Sequence, residues 1–586
     1  MYKVLKQYLK DNNIDAFAIG SSDEFLSEYA AEYAKRLKFI TNFTGSAGIA
    51  IITGKLEKNA FFTDGRYTTQ ASLELSDDFE IYNFSELGDS VFAEWISNNI
   101  PEGGVLAFDS KLHTKKMIDC TKLRLAGKNY IFRSIENPVD KIWKDQPSQP
   151  SSNSFIQPIE YSGCEVKAKL EDILKYMRDH DADYYLLTKA ESVSWLLNIR
   201  AYDLSNTPVL LSYALIDKNG VITLFTYNIE RINQNILNKI HAQINVKVID
   251  EIESYLLTNL KGKNIIFDQE LSQAWFSDLL SDISNIINKK DITILKRAIK
   301  NDSEIEAIKK AHKLDAVAMI TSLYDVNFKI QNGEYIDELE VGKIFFHNRN
   351  SQLEFISESF DTIAGFGSNG AIIHYRATEK SNKQIVGDNL LLIDSGGQYL
   401  CGTTDITRTI LVGKAKAKWI EYYTLVLKGH INLARAKFPN KTTGHQLDVL
   451  ARFHLWQCGL DYQHGTGHGV GNCLNVHEGP HSISTYANPQ PLIPGMVTSN
   501  EPGVYLPGEF GIRIENLMYV KQSNNNFNSF EQLTLVPYDK RLIDFSMLEI
   551  HEKKWLNDYY DQIIEEILPL LQDELVKVWF EKEVSI

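Results

Sequence analysis

Two pairs of carboxylates in the C-terminal half of the chain have the spacing of a site built across β-hairpins. Asp394 ends the apolar run LLLI, a Gly-Gly turn follows, and a second strand-like run brings in Asp405. Glu501 and Glu515 flank a Pro- and Gly-rich reversal in the same way. One continuous strand would hold Asp394 and Asp405 roughly 35 Å apart, whereas a hairpin brings them together. We expect both pairs to converge, although a single pair of this kind is more often solvated or capping.

Four carboxylates in one place need positive charge beside them. Like-charged carboxyl groups at close range disfavour joint ionisation, and two divalent cations would neutralise four of them. Dinuclear sites hold their ions about 3.5–4 Å apart between shared carboxylates. Oxygen ligands with one imidazole suit Mn, Co, Fe or Zn, and Mn is the natural choice among the harder ions. The sequence therefore predicts two divalent metal ions, Mn²⁺ first, with Zn²⁺ or Co²⁺ as alternatives.

The imidazole ligand is expected from the stretch HGTGHGVGNCLNVHEGP (464–480), which contains three histidines. His464 and His468 have the i, i+4 spacing of a zinc pair on a helix, but the intervening glycines disfavour a helix and no HExxH motif is present. The glycines on both sides of His468 let the backbone approach a buried centre, so His468 is the predicted ligand. His464 and His477 are then either hydrogen-bond donors around the metals or structural histidines beside a Gly-rich loop.

A second Gly-rich stretch, GFGSNG (365–370), matches the GxGxxG pattern of dinucleotide sites, with Asp388 as the following acidic residue. The residues after it, AIIHYRATEK, are strand-like, whereas a dinucleotide site needs a helix N-terminus to meet the pyrophosphate. We therefore exclude NAD binding at this stretch.

The elements that must position these residues fall into three predicted domains. The clearest linker is the Pro- and Ser-rich stretch KDQPSQPSSNSFIQP at 144–158. A second junction lies near residue 300, where Ser303 and Glu306 have the spacing of a capping box before a long amphipathic helix. We predict domains at 1–150, 158–300 and 301–586, the last with a helical C-terminal extension at 555–580.

The first two domains are predicted to be repeats of one α/β unit. Residues 5–19 and 173–187 both indicate a helix, a polar turn and an apolar strand, and Asp15 recurs as Asp183. The stretch FFTDGRYTTQA at 61–71 is better explained as a connection between a strand and a helix than as a substrate-facing loop.

The third domain is predicted to be α+β. Helices are expected near 303–328, 338–350 and 417–437, between strand runs such as AIIHYR, NLLLID and GMVTS. Gly- and Pro-rich turns between the strand runs favour antiparallel hairpins.

Composition restricts the class of protein. The formal net charge of −15 argues against a nucleic-acid partner, because phosphate binding relies on Lys and Arg. No apolar run approaches the roughly 18 residues of a membrane span, and the charged N-terminus has no apolar stretch typical of a secretory signal. Five scattered cysteines without a CxxC pair fit a reducing compartment. We therefore expect a cytoplasmic protein without a membrane partner.

The predicted ligands lie in recognisable contexts. LLIDSGGQY, TTDITRT, HGTGHGVG, SNEPGVY and GIRIENL, which contain Asp394, Asp405, His468, Glu501 and Glu515, closely resemble the ligand motifs of the pita-bread metallopeptidases. The three-part chain and the stretch HGTGHGVGNCLNVHEGP are similar to the Xaa-Pro aminopeptidase (aminopeptidase P) family in its long cytosolic form. The resemblance implies two creatinase-like α/β repeats, an α+β pita-bread catalytic domain and a homodimer.

The resemblance also implies roles for the ligands. Asp394 would chelate one metal ion, and Asp405 and Glu515 would bridge both. His468 and Glu501 would complete the coordination of the other ion. A hydroxide formed between the ions would attack the scissile carbonyl, with Glu501 carrying the proton toward the leaving prolyl nitrogen.

Three further histidines match family positions, and Arg513 is an additional candidate. His374, His464 and His477 would surround the substrate, and His374 and His477 would donate hydrogen bonds to the peptide carbonyl or its tetrahedral intermediate. Arg513, two residues before Glu515, would lie on the same strand face, brace the metal-site carboxylates and take part in substrate binding.

The implied activity is release of the N-terminal residue from peptides that have proline second. A first alternative is a prolidase acting on Xaa-Pro dipeptides, although prolidase-like chains generally have one N-terminal domain and this chain has two. A second alternative is a catalytically inactive pita-bread module that binds peptides. Such a module is expected to have lost ligands, and all five are present here.

Overall fold

The structure, a computed structural model, describes residues 1–84 and 90–585 of the chain. The chain forms two compact units. The first comprises Met1–Ile156, Cys164–Ser205 and Val209–Thr293, and the second comprises Gln157–Gly163, Asn206–Pro208 and Ile294–Ile586. The finer division at 1–150, 158–300 and 301–586 stays a prediction.

The first unit contains two six-stranded sheets with the same topology. In spatial order the first sheet comprises Phe79–Asn83, Asn59–Thr63, Ile49–Thr53, Ala16–Gly20, Val105–Phe108 and Ile131–Ser134. The second comprises Ile244–Val248, Ile222–Thr226, Ser212–Asp217, Tyr184–Leu187, Asn264–Phe267 and Asn285–Asn288. In each sheet the first strand in sequence lies fourth in space, antiparallel to the second strand and parallel to the fifth. The predicted duplication is confirmed.

The repeated aspartates make equivalent contacts in the two sheets. Asp15 accepts the backbone N–H of Val105 at 2.9 Å, and Asp183 accepts that of Asn264 at 3.2 Å. Each carboxylate also accepts a hydrogen bond from a lysine at 2.8 Å. The aspartate therefore ties the start of the first strand to the start of the fifth in both repeats.

Helices connect the strands of both repeats, which confirms the α/β prediction. The first repeat contains Tyr2–Asp11, Arg36–Thr41, Thr68–Glu74, Ser90–Asn99, Lys115–Arg124 and Pro138–Ile142. The second contains Val166–Asp179, Ala190–Leu197, Gln234–Ile240, Ile252–Asn259 and Ala274–Leu280, and a short ladder pairs Ser154–Ile156 with Ile199–Ala201. Residues 64–67 of the DGRY stretch lie between a strand and a helix, as predicted.

The second unit contains the predicted long helices. They are Asp302–Gln331, Glu338–Asn350 and Ala417–Ala434, and a further helix, Gly444–Trp456, was not predicted from the sequence. The predicted capping box of Ser303 and Glu306 is wrong. Asn301 caps the first helix by accepting the N–H of Glu304 at 3.0 Å, and the Glu304 carboxylate accepts the N–H of Asn301 at 3.0 Å. The same motif occurs two residues earlier, because Asn caps as well as Ser does.

The C-terminal extension is helical, as predicted, but it forms two helices where the sequence analysis predicted one. They are Ile550–Ile567 and Glu574–Val584, separated by a 3₁₀ turn at Leu568–Leu570. Pro569 lies in this turn and has no N–H to continue the helix. None of the helices within residues 1–84 and 90–585 has the length and apolarity of a membrane span.

All strand pairs of the second unit are antiparallel in the described part of the chain, which confirms α+β. Its sheets comprise Phe355–Glu358 with Gly397–Tyr399 and Gly402–Thr403, and Ile363–Phe366 with Asn389–Ser395 and Ile406–Val412. A third comprises Lys437–Pro439, Phe527–Gln532, Asn516–Asn524 and Val497–Asn500. Two ladders pair Gly467–His468 with Ser482–Ile483 and Gly503–Leu506 with Phe510–Arg513.

The stretch AIIHYR forms no strand, contrary to the prediction. Its first residue, Ala371, ends the 3₁₀ turn Gly367–Ala371, and residues 372–376 form an irregular turn. The buried carboxylate of Glu338 accepts hydrogen bonds from the N–H of Phe366 and the hydroxyl of Tyr375, both at 2.7 Å. These contacts fold the segment onto a helix N-terminus, so Tyr375 is buried and the preceding apolar residues are half-buried without a strand partner.

Candidate metal centre

The first carboxylate pair lies at the end of an antiparallel strand pair. The strand Asn389–Ser395 pairs with Ile406–Val412, and Asp394 lies opposite Thr407. A small hairpin of Gly397–Tyr399 and Gly402–Thr403 continues beyond this end. Asp405, immediately before the returning strand, is therefore brought back beside Asp394, as predicted.

The second pair has the same construction. Asn500 lies opposite Asn516, so Glu501 and Glu515 lie together at the end of this strand pair. The hairpin of Gly503–Leu506 and Phe510–Arg513 extends past them. The backbone N–H of Glu515 donates to the Thr407 carbonyl at 3.1 Å, which joins the two strand pairs.

His468 approaches the carboxylates through its flanking glycines, as predicted. A Cβ on Gly467 would lie 2.1 Å from the carbonyl oxygen of Ser499, and one on Gly469 would lie 2.0 Å from that of Glu478. Real Cβ atoms never come this close, so only glycine fits at either position. The short strand containing His468 can therefore lie directly against the strand Val497–Asn500, which precedes Glu501.

The ligand atoms of this group are close together. His468 Nε2 lies 3.4 Å from Asp405 Oδ2 and 3.6 Å from Glu501 Oε1. One ligand atom each of Asp405, His468 and Glu515 lies within 4.8 Å of the others. The other ring nitrogen of His468, Nδ1, donates to the Gly469 carbonyl at 3.0 Å, because a carbonyl can only accept. This bond leaves Nε2 as the nitrogen that faces the carboxylates, as metal-bound histidines require.

Three carboxylate oxygens of the centre are buried without a hydrogen-bond partner among the residues that the structure describes. They are Asp394 Oδ1, Asp405 Oδ1 and Glu515 Oε1. Buried acceptors of this kind are costly unless a donor or a cation satisfies them. Three such oxygens, together with the His468 nitrogen that faces the carboxylates, are the donor set that a pair of divalent cations would satisfy.

The electrostatics of the centre favour added positive charge. Burial and the charges of Asp405 and Glu501 raise the pKa of Glu515 well above its usual value. Burial raises the pKa of Asp394, against the opposing effect of Arg513, and burial also raises the pKa of Glu501. Burial lowers the pKa of His468, but its two carboxylate neighbours outweigh this and raise the pKa to about 9.

Arg513 lies against the carboxylates. Its Nη2 donates to Asp394 Oδ2 at 2.5 Å, and its Nε donates to the Thr407 hydroxyl at 3.1 Å. That hydroxyl donates to Glu515 Oε2 at 2.9 Å. Arg513 therefore fixes one oxygen of Asp394 directly and one of Glu515 through Thr407. Its bracing geometry agrees with the expectation, while contact with a substrate stays a prediction.

His464 is held by protein groups at both ring nitrogens. Its Nδ1 donates to the Gly465 carbonyl at 2.8 Å, and its Nε2 lies 2.9 Å from the Tyr505 hydroxyl. Arg513 Nη1 donates to the same hydroxyl at 2.8 Å, so Tyr505 is left to donate to His464. His464 Nδ1 also lies 3.9 Å from Glu501 Oε2. The structure places His464 beside the centre, and its predicted contact with substrate stays a prediction.

The other two predicted histidines lie on the loops around the centre. The ring of His477 meets that of His468 edge to face, with centroids 4.4 Å apart. His374 is half-buried in the turn after Gly367–Ala371. Its neighbour Tyr375 packs in one apolar cluster with Leu392, two residues before Asp394. Their roles toward a substrate stay predictions.

Sequence reasoning missed several residues that position the centre. Thr407 and Tyr505 link Arg513 to Glu515 and His464, as described above. Asp448 and Arg452, on the helix Gly444–Trp456, hold the HGTGH loop: Asp448 accepts the Thr466 hydroxyl at 2.6 Å, and Arg452 donates to the His464 carbonyl at 2.7 Å. Thr407 could have been proposed from its place between Asp405 and the strand, but the other three have no local signal.

Comparison with known proteins agrees with this geometry. The model of Metallopeptidase family M24 matches residues 306–522, and that of the C-terminal region of this peptidase matches 526–585. The Creatinase/Prolidase N-terminal domain matches twice, at 2–142 and 145–304. Xaa-Pro aminopeptidase 1 of Dictyostelium discoideum is 39% identical, with 97% of this chain and 93% of that protein covered.

The chain belongs to the Xaa-Pro aminopeptidase family. The X-prolyl aminopeptidase of Caenorhabditis elegans, described as a cytosolic enzyme with a dinuclear active site, is 31% identical, with a TM-score of 0.92 over 98% of this chain and 95% of that one. The prolidase of Pyrococcus horikoshii is 27% identical, with a TM-score of 0.52 over 99% of that chain but only 63% of this one. Membership of the Xaa-Pro aminopeptidase family confirms the predicted creatinase-like repeats and pita-bread domain, and the partial match to prolidase does not favour that alternative.

Proposed function

We propose that this protein is a dinuclear metalloaminopeptidase that releases the N-terminal residue from peptides with proline at the second position. The observation that carries the proposal is the convergence of four carboxylates and one imidazole with three buried carboxylate oxygens left unpartnered within the described residues. Residues with only a structural role would have paired these oxygens with donors.

The metal ions would be held by Asp394, Asp405, His468, Glu501 and Glu515. Asp405 and Glu515 would contribute ligands to both ions. Mn²⁺ is the proposed metal, since oxygen donors predominate. Bound divalent ions supply a Lewis acid for the peptide carbonyl and lower the pKa of a coordinated water.

The remaining chemistry belongs to side chains of the centre. Glu501 is the proposed proton carrier, because its Oε1 faces His468 at 3.6 Å and its other oxygen faces His464 at 3.9 Å. His374 and His477 are proposed to donate hydrogen bonds to the carbonyl oxygen as negative charge develops there. The leaving nitrogen of a prolyl bond has no hydrogen of its own, so a proton must reach it before the peptide separates.

We propose a cytoplasmic homodimer. Val449, Phe453 and Trp456 are 41%, 49% and 43% exposed, although all three are large apolar residues. Their spacing places them on one outer face of the helix Gly444–Trp456. An apolar stripe of this kind is expected to be covered in solution, and a second copy of the chain is the proposed cover. The W456E variant should then sediment as a monomer, whereas W456F should remain dimeric; a monomeric wild-type protein would exclude this interface.

The deciding experiment for the activity combines metal analysis with peptide cleavage. Chelator-stripped protein should be inactive and should regain cleavage of an Xaa-Pro-Zaa tripeptide when Mn²⁺ is added. The matched Xaa-Ala-Zaa peptide should be cleaved poorly. Cleavage of Xaa-Pro dipeptides without tripeptide cleavage would indicate a prolidase. Absence of any metal-dependent cleavage would favour a peptide-binding module.

A further inference from the structure

A buried carboxylate outside the metal-ligand set lies directly after His477. Glu478 is 3% exposed, and its Oε1 accepts a hydrogen bond from Lys300 Nζ at 2.7 Å. Its Oε2 lies 3.3 Å from Arg297 Nε. Both cations precede the helix Asp302–Gln331, far from Glu478 in sequence. This buried carboxylate and its two buried cations hold each other in place, because each charge would be costly to bury without the others. We call this group the anchor.

This anchor is connected to the metal ligand through one carbonyl group. The backbone N–H of Glu478 donates to the Gly469 carbonyl at 2.7 Å. The same carbonyl accepts the Nδ1–H of His468 at 3.0 Å. The carbonyl thus sets which nitrogen of His468 faces the carboxylates, and the position of Glu478 sets the carbonyl.

The anchor also restricts the position of the neighbouring histidine, His477. His477 is bonded to Glu478 through the peptide, and its ring stands edge-on to the ring of His468 at 4.4 Å. Lys300 additionally donates to the carbonyl of Arg297 at 2.7 Å, which fixes the ammonium group itself. The chain from Lys300 through Glu478 and Gly469 to His468 is therefore continuous in hydrogen bonds.

We propose that Lys300 and Glu478 are positioning residues of the metal centre, which hold His468 Nε2 toward the metals and His477 toward the substrate. The inference rests on the proposed function. It also extends the centre to Arg297 and Lys300, which lie outside the catalytic domain predicted to begin at residue 301 and outside the M24 match at 306–522.

The test is metal affinity, measured without any peptide. K300M removes the ammonium group and keeps most of the length of the side chain. We expect its Mn²⁺ affinity, measured by competition with a chelating dye on folded protein, to fall about 10-fold to 100-fold, the usual effect of losing a group that orients a ligand. K300R should restore most of the affinity. The kcat for an Xaa-Pro-Zaa peptide should fall more than its KM changes, because orientation rather than peptide binding is lost.

K428M is the matched control. Lys428 forms another buried ion pair of the same unit, with Glu552 at 2.6 Å, and also donates to the Met547 carbonyl, so both partners lie outside the loop from His464 to Glu478. K428M should lower the melting temperature but leave the Mn²⁺ affinity of the folded protein unchanged.

If K300M does not fold, the Mn²⁺ affinity of E478Q tests the inference instead. This variant removes the charge of Glu478 but keeps an acceptor for Lys300. Folded K300M or E478Q with an Mn²⁺ affinity within about twofold of the wild type would overturn the inference. A wild-type protein that binds Mn²⁺ but leaves Xaa-Pro peptides intact would instead overturn the proposed function, and the affinity comparison would still stand.

Discussion

Gly467→Ala is the sharpest available perturbation of the metal centre, because it adds one methyl group and changes no charge. The new Cβ would begin 2.1 Å from the carbonyl oxygen of Ser499, and the contact must open to at least 3.0 Å. The two strands that must separate carry His468 and lead to Glu501. The substitution therefore moves His468, a proposed metal ligand, away from Glu501 by nearly an ångström.

Two magnitudes follow from this displacement. Overpacking of this kind costs typically about 1–3 kcal/mol of stability. A misplacement of about 1 Å in a catalytic group costs on the order of 100-fold in rate. We therefore expect G467A to remain folded, to bind Mn²⁺ more weakly, and to lose roughly two orders of magnitude in kcat/KM for an Xaa-Pro-Zaa peptide.

The assay is steady-state cleavage at saturating Mn²⁺, together with urea unfolding. Gly342→Ala serves as the control. It lies in the helix Glu338–Asn350, its nearest neighbour to an added Cβ is 4.0 Å away, and alanine is the better helix former. G342A should keep full activity and equal or greater stability. A folded G467A variant with wild-type kcat/KM and metal content would refute the assignment of close approach at His468.

Three further outcomes are expected. Glu501→Gln should reduce kcat by at least about 100-fold, since it removes a charged ligand and the proton carrier together, and unchanged turnover would exclude that assignment. His477→Ala should lower kcat while both metal ions remain by elemental analysis; a variant empty of metal would make His477 a ligand. The rise in melting temperature on adding Mn²⁺ should grow from pH 6 to pH 9. Asp394, Glu501 and Glu515 have raised pKa values, as has His468 at about 9, so their contribution to metal-free stability is present at low pH and lost as pH rises through these pKa values. A rise in melting temperature on Mn²⁺ addition that becomes smaller as the pH increases would contradict this expectation.

The convergence of the proposed ligands could be predicted because its information is local. An apolar run that ends in a carboxylate, a Gly- or Pro-rich reversal and a second carboxylate together specify a hairpin, and both hairpins formed as expected. Glycines on both sides of His468 likewise specify a close approach at that position. In each case the physical cause lies within a few residues of the ligand.

The failed predictions have nonlocal causes. AIIHYR has the apolar character of a strand. The Glu338 carboxylate, however, accepts hydrogen bonds from Phe366 and Tyr375, and these bonds fold the segment into a turn. Residues 178 apart in sequence form the pair of Lys300 and Glu478. The Tyr505 hydroxyl accepts a hydrogen bond from Arg513 because the hairpin of Gly503–Leu506 and Phe510–Arg513 brings the two residues together. The hydrophobic periodicity of a sequence does not predict such partners, because they come together only in the folded structure.

The charge of the assembled centre explains why Arg513 belongs to it. Four ionised carboxylates with one guanidinium sum to −3, and two divalent ions bring the total to +1 when His468 is neutral. Without Arg513 the same centre would be neutral. A residual positive charge in a buried site favours negative charge that develops on a peptide carbonyl oxygen, which is the charge that a hydrolytic transition state creates. Arg513, bonded to Asp394, is thus expected to influence the rate of carbonyl attack through charge as well as through bracing, and R513M should lose more rate than R513K.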